Sequence, residues 1–197
     1  MLKKLCFLFV MATATSMAAT IAFYANLTGA LESPANSSPG YGTGRVVFDD
    51  VLHQMTININ FSGLSTLPAG TTGTTAAHIH CCTAIAGTGN AGVATTTPNF
   101  AGFPLNVFSG AFSATLDMTL ATSYNAAFVT AQGSIAAAEA ALIAGAVAGK
   151  DYLNIHTSAF SGGEIRGFLA PIPEPGTFGM LGGALAAAAL LRRRFRA

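Results

Sequence analysis

Three histidines have the residue type and spacing best suited to chemistry in this chain. His78 and His80 are two residues apart, and His156 lies in a second segment near the end of the chain. Alternate residues of a β-strand point to the same side, so His78 and His80 can reach one ion if their segment is a strand. A third imidazole from another strand would complete a three-nitrogen site suited to copper or zinc.

The same region also admits a structural interpretation. Glu164 and Arg166 follow His156 closely, and these polar side chains can form a hydrogen-bonded lattice that joins strands, with Glu164 and Arg166 paired to neighbours. Spacing links only His78 with His80, and His156 with Arg166. We favour the lattice, so no cofactor is expected, and a copper or zinc ion held by the three histidines is the alternative.

Two adjacent cysteines, Cys81 and Cys82, directly follow the histidine pair. We favour a disulfide between them, because an oxidising compartment promotes it, and place pairing between molecules second. A core thiol beside an exposed one is a further state. In the last alternative, Cys82 joins His80 as a soft metal ligand, which would favour copper(I).

Other catalytic patterns are missing from the sequence. It contains no nucleophile elbow, no glycine-rich phosphate loop and no paired carboxylates at a recognisable spacing. Asp49 and Asp50 are most simply the acidic part of a turn before His53. We therefore expect no catalysis.

The elements that must position these residues are short alternating runs separated by Gly, Pro, Ser and Thr. They predict an antiparallel β-sandwich of the Greek-key, superoxide-dismutase-like or immunoglobulin-like kind. Ile57 and Ile59 alternating with Asn58 and Asn60 are the clearest example, with one face in the core and one in water. The predicted strands are residues 23–27, 44–49, 54–61, 76–82, 111–120, 152–157 and 164–169.

The same alternation assigns faces to the polar residues. Ile79, Leu153 and Ile165 mark the core side of their strands, so the residues between them should lie on the outer face. The segment 158–163 is short enough to make the last two strands a hairpin. The residues predicted for the outer face are His78, His80, Cys82, Asn154, His156, Glu164 and Arg166.

One helix interrupts the β pattern. Ser134 can cap its first turn, and Gly149 can close it in a left-handed conformation. Its apolar residues Leu142, Ile143 and Val147 should pack on a sheet edge.

The histidine pattern resembles that of copper-zinc superoxide dismutase, itself an antiparallel sandwich. By that resemblance His78, His80 and His156 would be metal ligands, and Arg166 would steer an anion. The further ligands of a two-metal site have no counterparts, because His53 is the only histidine left over.

Both ends of the chain carry sorting signals. Lys3 and Lys4 precede an apolar stretch, and small residues near Ala18 suit a signal peptidase, so residues 1–19 are predicted to be a signal peptide. At the other end, residues 172–197 combine a Pro173-Glu174-Pro175 motif, an apolar segment at 178–191, and a basic stop. The basic stop includes Arg192, Arg193 and Arg194, and these arginines should remain cytoplasmic.

Removing these ends changes the charge. The mature domain, residues 20–171, retains three basic residues against seven acidic ones, a net charge of −4. A nucleic-acid partner is excluded, since no basic stripe remains to neutralise phosphates. About 150 residues suffice for one domain with a core.

The tail, from Pro173 to Ala197, resembles the PEP-CTERM sorting signal. This resemblance implies an exosortase-type processing enzyme as partner and at least transient anchoring by the C-terminal segment. The protein would then reach the cell surface or the extracellular matrix, where exopolysaccharide components are candidate partners.

Five separated motifs in order resemble the CHRD domain. The motifs are Asn26-Leu27-Thr28-Gly29 with Glu32 and Pro34, Phe61-Ser62-Gly63-Leu64, Ala77-His78-Ile79-His80, Asn154-Ile155-His156-Thr157 and Gly163-Glu164-Ile165-Arg166-Gly167. Cys81-Cys82 departs from the glycine-rich sequence common after the histidine pair. The resemblance implies an extracellular β-rich module with no general enzymatic activity. We therefore predict an exported, envelope-associated structural or binding module, the alternative being a copper- or zinc-binding protein or a diverged dismutase-like enzyme.

Overall fold

The computed structural model describes residues 20–172, which form a mainly β domain with two short helices. The elements are β1 (Thr20–Thr28), β2 (Tyr41–Asp49), β3 (Gln54–Ser62), β4 (Thr74–His80), β5 (Gly110–Asp117), α1 (Ala126–Gln132), α2 (Ile135–Val147), β6 (Tyr152–Thr157), β7 (Ile165–Phe168) and β8 (Ala170–Pro171). The predicted signal peptide, the Pro173-Glu174-Pro175 motif, the apolar segment 178–191 and the terminal arginines lie outside the described residues.

The strands form one curled antiparallel sheet in the order β4-β6-β7-β1-β2-β3-β5, with β8 pairing to β1. The seam between β7 and β1 is narrow, a single pair of Thr28 with Arg166. Across the curl, Leu153 of β6 packs on Gly44 of β2, where a Cβ would lie 2.5 Å from the leucine side chain. The two halves therefore enclose the core as a sandwich does, which confirms the predicted fold class.

The clearest predicted alternation is confirmed in β3. Met55, Ile57 and Ile59 are fully buried, whereas the residues between them are partly or fully exposed. Burying each isoleucine side chain stabilises the fold by about 1.5–3 kcal/mol. The predicted hairpin of β6 and β7 is also present, with Asn154 opposite Arg166.

Helix α2 has the predicted ends. The Ser134 hydroxyl accepts a hydrogen bond from the Ala137 amide at 3.1 Å, and Gly149 follows the last turn with φ +67°. Leu142 is buried, but Val147 is 54 % exposed, so the predicted apolar stripe was wrong at its last residue.

Helix α1 was not predicted. The Asn125 side chain caps it by accepting from the Ala127 amide. The Phe128-Val129-Thr130 sequence consists of residues with low helix propensity, so the sequence did not indicate helix α1.

The outer face of β4, β6 and β7 is covered, contrary to the prediction of a solvent-facing side. His78 is 6 % exposed, and Asn154 and Arg166 are each 2 % exposed. The segment after β1 and the long connection between β4 and β5 fold over this face and supply its hydrogen-bond partners. Alternation separated the faces correctly, but it carries no information about where long loops lie.

Within residues 20–172, no single helix has the length and hydropathy needed to cross a membrane. Helices α1 and α2 meet that test only when taken together, and they are bent by 93° where they meet.

Candidate metal centre

The three histidines meet because β4 and β6 are neighbours. The antiparallel register places Ala76 opposite His156 and His78 opposite Asn154, so His156 is diagonal to His78 on the same face. Ring centroids are 5.3 Å apart for His78 and His156, and 5.9 Å apart for the other two pairs. Each ring offers a nitrogen within 4.8 Å of a nitrogen on both of the others.

Each imidazole uses one nitrogen to donate to a backbone carbonyl. His78 donates through Nε2 to Pro98 at 2.5 Å, His80 through Nδ1 to Ala91 at 2.9 Å, and His156 through Nδ1 to Ser161 at 2.9 Å. A carbonyl oxygen can only accept, so these nitrogens carry the hydrogen. The tautomer of all three rings is thereby set, and each neutral ring keeps a lone pair on its other nitrogen.

Those other nitrogens, Nδ1 of His78 and Nε2 of His80 and His156, are buried and have no hydrogen-bond partner among residues 20–172. A buried polar atom left unsatisfied costs about 1–3 kcal/mol. Three such acceptors in one cluster are the arrangement expected where a ligand completes them.

Burial also keeps the three rings neutral. It lowers the pKa of His78 and of His156, and it lowers the pKa of His80 to about 4. The neighbouring imidazoles contribute in the same direction for His78 and His80, because a second positive charge nearby is unfavourable. At neutral pH the site is therefore a set of deprotonated nitrogen ligands, the form that binds metal.

Tyr152 links this cluster to its surroundings and was not among the predicted site residues. Its ring stacks on His80 with centroids 4.7 Å apart, and its hydroxyl donates to the Ala91 carbonyl that also accepts from His80. The Arg166 guanidinium lies 4.7 Å from the same ring. The alternation of Tyr152 with Leu153, which places it on the same face as Asn154 and His156, was the sequence signal that could have found it.

Arg166 and Glu164 belong to a separate polar lattice, in line with the structural interpretation. Arg166 donates to the carbonyls of Leu31 and Gly89 and to Asn90, and its Nε lies 3.7 Å from a Glu32 carboxylate oxygen. With 2 % of its surface exposed, Arg166 is fully engaged, so the expectation that it steers an anion was wrong.

Glu164 is fully buried and accepts three hydrogen bonds, from the Ser38 and Thr157 hydroxyls and from the Ser65 amide, each at 2.5 Å. Asn154 ties Glu32 to strand β7, because it donates to the Glu32 carboxylate at 2.6 Å and to the carbonyl of Ile165. Burial raises the pKa of Glu32 to about 7, opposed by Asn154 and Arg166.

The cysteines lie apart from the histidines. The structure joins Cys81 and Cys82 by a disulfide, and their sulfurs group with Asp151 and not with the imidazoles. Strand β4 ends at His80, so the alternation that placed Cys82 beside the histidines does not extend to it. In this structure Cys82 is not a ligand of the histidine cluster.

All of these residues lie within residues 23–169, which match the CHRD domain. The chain belongs to the CHRD domain family. Residues 171–194 match the PEP-CTERM protein-sorting motif, an exosortase recognition signal. The protein is therefore exported, transiently anchored in the membrane, and sorted to the cell surface or the extracellular space. No curated protein and no solved structure matches the chain.

Proposed function

We propose that this CHRD domain is a surface-sorted metal-binding module in which His78, His80 and His156 ligate one copper or zinc ion. The observation that carries the proposal is the convergence of three neutral rings, each fixed by a carbonyl on one nitrogen and unpartnered on the other. Hydrogen bonds from ligand imidazoles to backbone carbonyls are the usual way in which proteins orient such ligands.

The donor set selects the class of metal. Three imidazole nitrogens suit copper and zinc, whereas calcium and magnesium prefer oxygen ligands. Two nitrogens bound at about 2.1 Å to one tetrahedral zinc ion lie about 3.4 Å apart. The ring nitrogens lie within 4.8 Å of one another, so binding requires each pair to move together by up to about 1.4 Å.

We propose binding and not turnover. Among residues 20–172, the ligand group that contains His78, His80 and His156 includes no carboxylate, so its ligands supply no acid to move protons. Arg166, the basic residue in the same set of sequence motifs, already donates its hydrogen bonds within the lattice, to the carbonyls of Leu31 and Gly89.

A structural role in the envelope is the second candidate, and the Arg166–Glu164 lattice favours it. Buried groups with all their partners in place hold strands and loops together without needing a ligand. We propose that the module works at the cell surface or in the extracellular matrix, with exopolysaccharide components as candidate partners and an exosortase-type enzyme acting on its tail.

The test uses the exported protein, purified from the periplasm with and without chelator. We expect near-stoichiometric copper or zinc by elemental mass spectrometry, and a rise in melting temperature when either metal is added to the stripped protein. His156→Ala should abolish that rise, whereas the matched control His53→Ala should keep it, because His53 lies elsewhere and pairs with Glu139 at 2.9 Å.

Bound metal should also be released as the pH falls, because each imidazole must be deprotonated to bind. A folded wild-type protein that neither carries metal nor shows a thermal shift with copper or zinc would contradict metal binding and leave the structural role. An equal shift in wild type and His156→Ala would contradict this site.

A further inference from the structure

The Cys81–Cys82 disulfide lies where β4 ends against helix α2. Cys82 is exposed, Cys81 is 6 % exposed, and both sulfurs are 3.8 Å from the Ala141 carbonyl oxygen of the helix. Cys82 is therefore the exposed residue of the pair, and Cys81 is the buried one. An external thiol should approach the disulfide from the Cys82 side.

A buried carboxyl group stands beside this disulfide. Asp151 is 0 % exposed, and one of its carboxyl oxygens lies within 4.8 Å of both sulfurs. In the part of the chain that the structure describes, neither carboxyl oxygen has a hydrogen-bond partner. Such a group is costly to bury unless it has a use or carries a proton. Burial raises the pKa of Asp151 to about 8, so it holds its proton at neutral pH.

Helix α2 makes room for this pair at Gly145. A Cβ at that position would lie 2.7 Å from the Cys82 sulfur and would also collide with the Asp151 carboxyl group. A glycine in a helix interior costs about 0.5–1 kcal/mol relative to alanine. Gly145 thus lies at the point where both the Asp151 carboxyl group and the Cys82 sulfur approach the helix.

We propose that Cys81–Cys82 is a thiol–disulfide exchange site for an external dithiol, and that Asp151 donates the proton to the departing sulfur. A thiolate of the dithiol attacks Cys82 Sγ, the disulfide bond breaks, and its electron pair passes to Cys81 Sγ. That sulfur takes the proton of Asp151, which becomes a carboxylate.

The second thiol of the external molecule then loses its proton to solvent. It attacks the first sulfur of that molecule, which is bonded to Cys82 Sγ in the mixed disulfide. Cys82 leaves as a thiolate and is protonated from solvent, as is Asp151. The protein gains two electrons and two protons, and the dithiol is oxidised to a disulfide. The donor matters because a buried thiolate such as that of Cys81 is a poor leaving group without a proton.

The test measures reduction of the oxidised exported protein by dithiothreitol in the presence of chelator, followed by acid quench, alkylation and mass spectrometry. Asp151→Asn keeps the shape of the side chain and removes its proton, so we expect reduction to slow on the order of 10²-fold. The control Glu139→Gln changes another acid of low exposure, on α2 itself, and should leave the rate unchanged.

A merely structural role for Asp151 predicts the opposite sign, since a loosened fold would expose the disulfide and speed its reduction. In urea, where Asp151 no longer lies beside the sulfurs, wild type and Asp151→Asn should react equally. A native rate for Asp151→Asn that equals or exceeds that of wild type would overturn the proposal, as would free thiols in the purified oxidised protein.

Discussion

Two buried polar regions lie side by side on the outer face of β4, β6 and β7, and they differ in how their hydrogen bonds are completed. Around Arg166 and Glu164, donors and acceptors are matched by side chains and loop carbonyls. Around His78, His80 and His156, three ring nitrogens are buried without any partner.

Buried polar residues therefore have two different roles in this fold. A satisfied lattice holds loops to strands, and removing one member should cost folding free energy under all conditions. An unsatisfied cluster of neutral acceptors keeps binding capacity, and its contribution should depend on metal and on pH.

The largest expected effect concerns the lattice. Arg166→Met should lower the free energy of unfolding by about 3–5 kcal/mol, because it leaves the buried Glu32 carboxylate and several carbonyls without their cation. Urea unfolding should give the same loss with and without zinc. The exposed Arg45→Met is the control and should change stability by less than about 0.5 kcal/mol. If zinc restored the stability lost in Arg166→Met, the lattice and the histidine cluster would be one metal-dependent region.

The next effect tests the register of β6, which places His156 and Asn154 on the same face. Ile155 is fully buried between them, so Ile155→Ala should cost about 2–5 kcal/mol in urea unfolding. Asn58→Ala, on the partly exposed side of β3, should cost less than about 1 kcal/mol. If Ile155→Ala and Asn58→Ala lost equal stability, the assignment of alternate strand residues to opposite faces, on which the histidine site depends, would be wrong.

Protonation of the histidine region should make one contribution to the pH dependence of the metal-free protein. The folded protein holds the pKa of His80 at about 4, below the ordinary value of 6.5, so the unfolded chain binds protons first as the pH falls. This contribution to stability is therefore complete above pH 6.5 and declines toward pH 4. The decline is up to about 1.4 kcal/mol per pH unit for this one group.

His80→Gln should flatten that decline when urea unfolding is repeated across the range in chelator. Glu32 and Asp151 act with the opposite sign, since their raised pKa values favour the folded state at lower pH, but both are common to the two proteins and cancel in the comparison. An unchanged slope would show that His80 is not buried as a neutral ring.

The smallest effect tests the residue between the two regions. Tyr152→Phe keeps the ring that stacks on His80 and loses the hydroxyl bonded to Ala91, so it should cost about 0.5–1.5 kcal/mol. Because Ala91 also orients His80, zinc affinity measured by competition should fall about 10-fold. The exposed Tyr41→Phe should leave both quantities unchanged. If Tyr152→Phe changed stability but not zinc affinity, Tyr152 would belong to the lattice and not to the metal site.

Sequence pattern predicted the faces and most of the elements because these are local properties. Alternation of Ile79 with His78 and His80 assigns sides to a strand whatever the rest of the chain does. The cap at Ser134 and the left-handed Gly149 likewise mark the ends of α2 through contacts within a few residues. Composition limited the partners, since removal of the predicted terminal signals would leave an acidic domain.

Tertiary structure alone decided which strands meet and what covers them. The pairing of β4 with β6 joins residues more than seventy positions apart, a choice that depends on the packing of the whole core. The carbonyls of Pro98, Ala91 and Ser161 set the histidine tautomers, yet every residue has a carbonyl, so no sequence signal marks them. Asp151 is likewise an ordinary acid in the sequence, and only its burial against the Cys81–Cys82 disulfide singles it out.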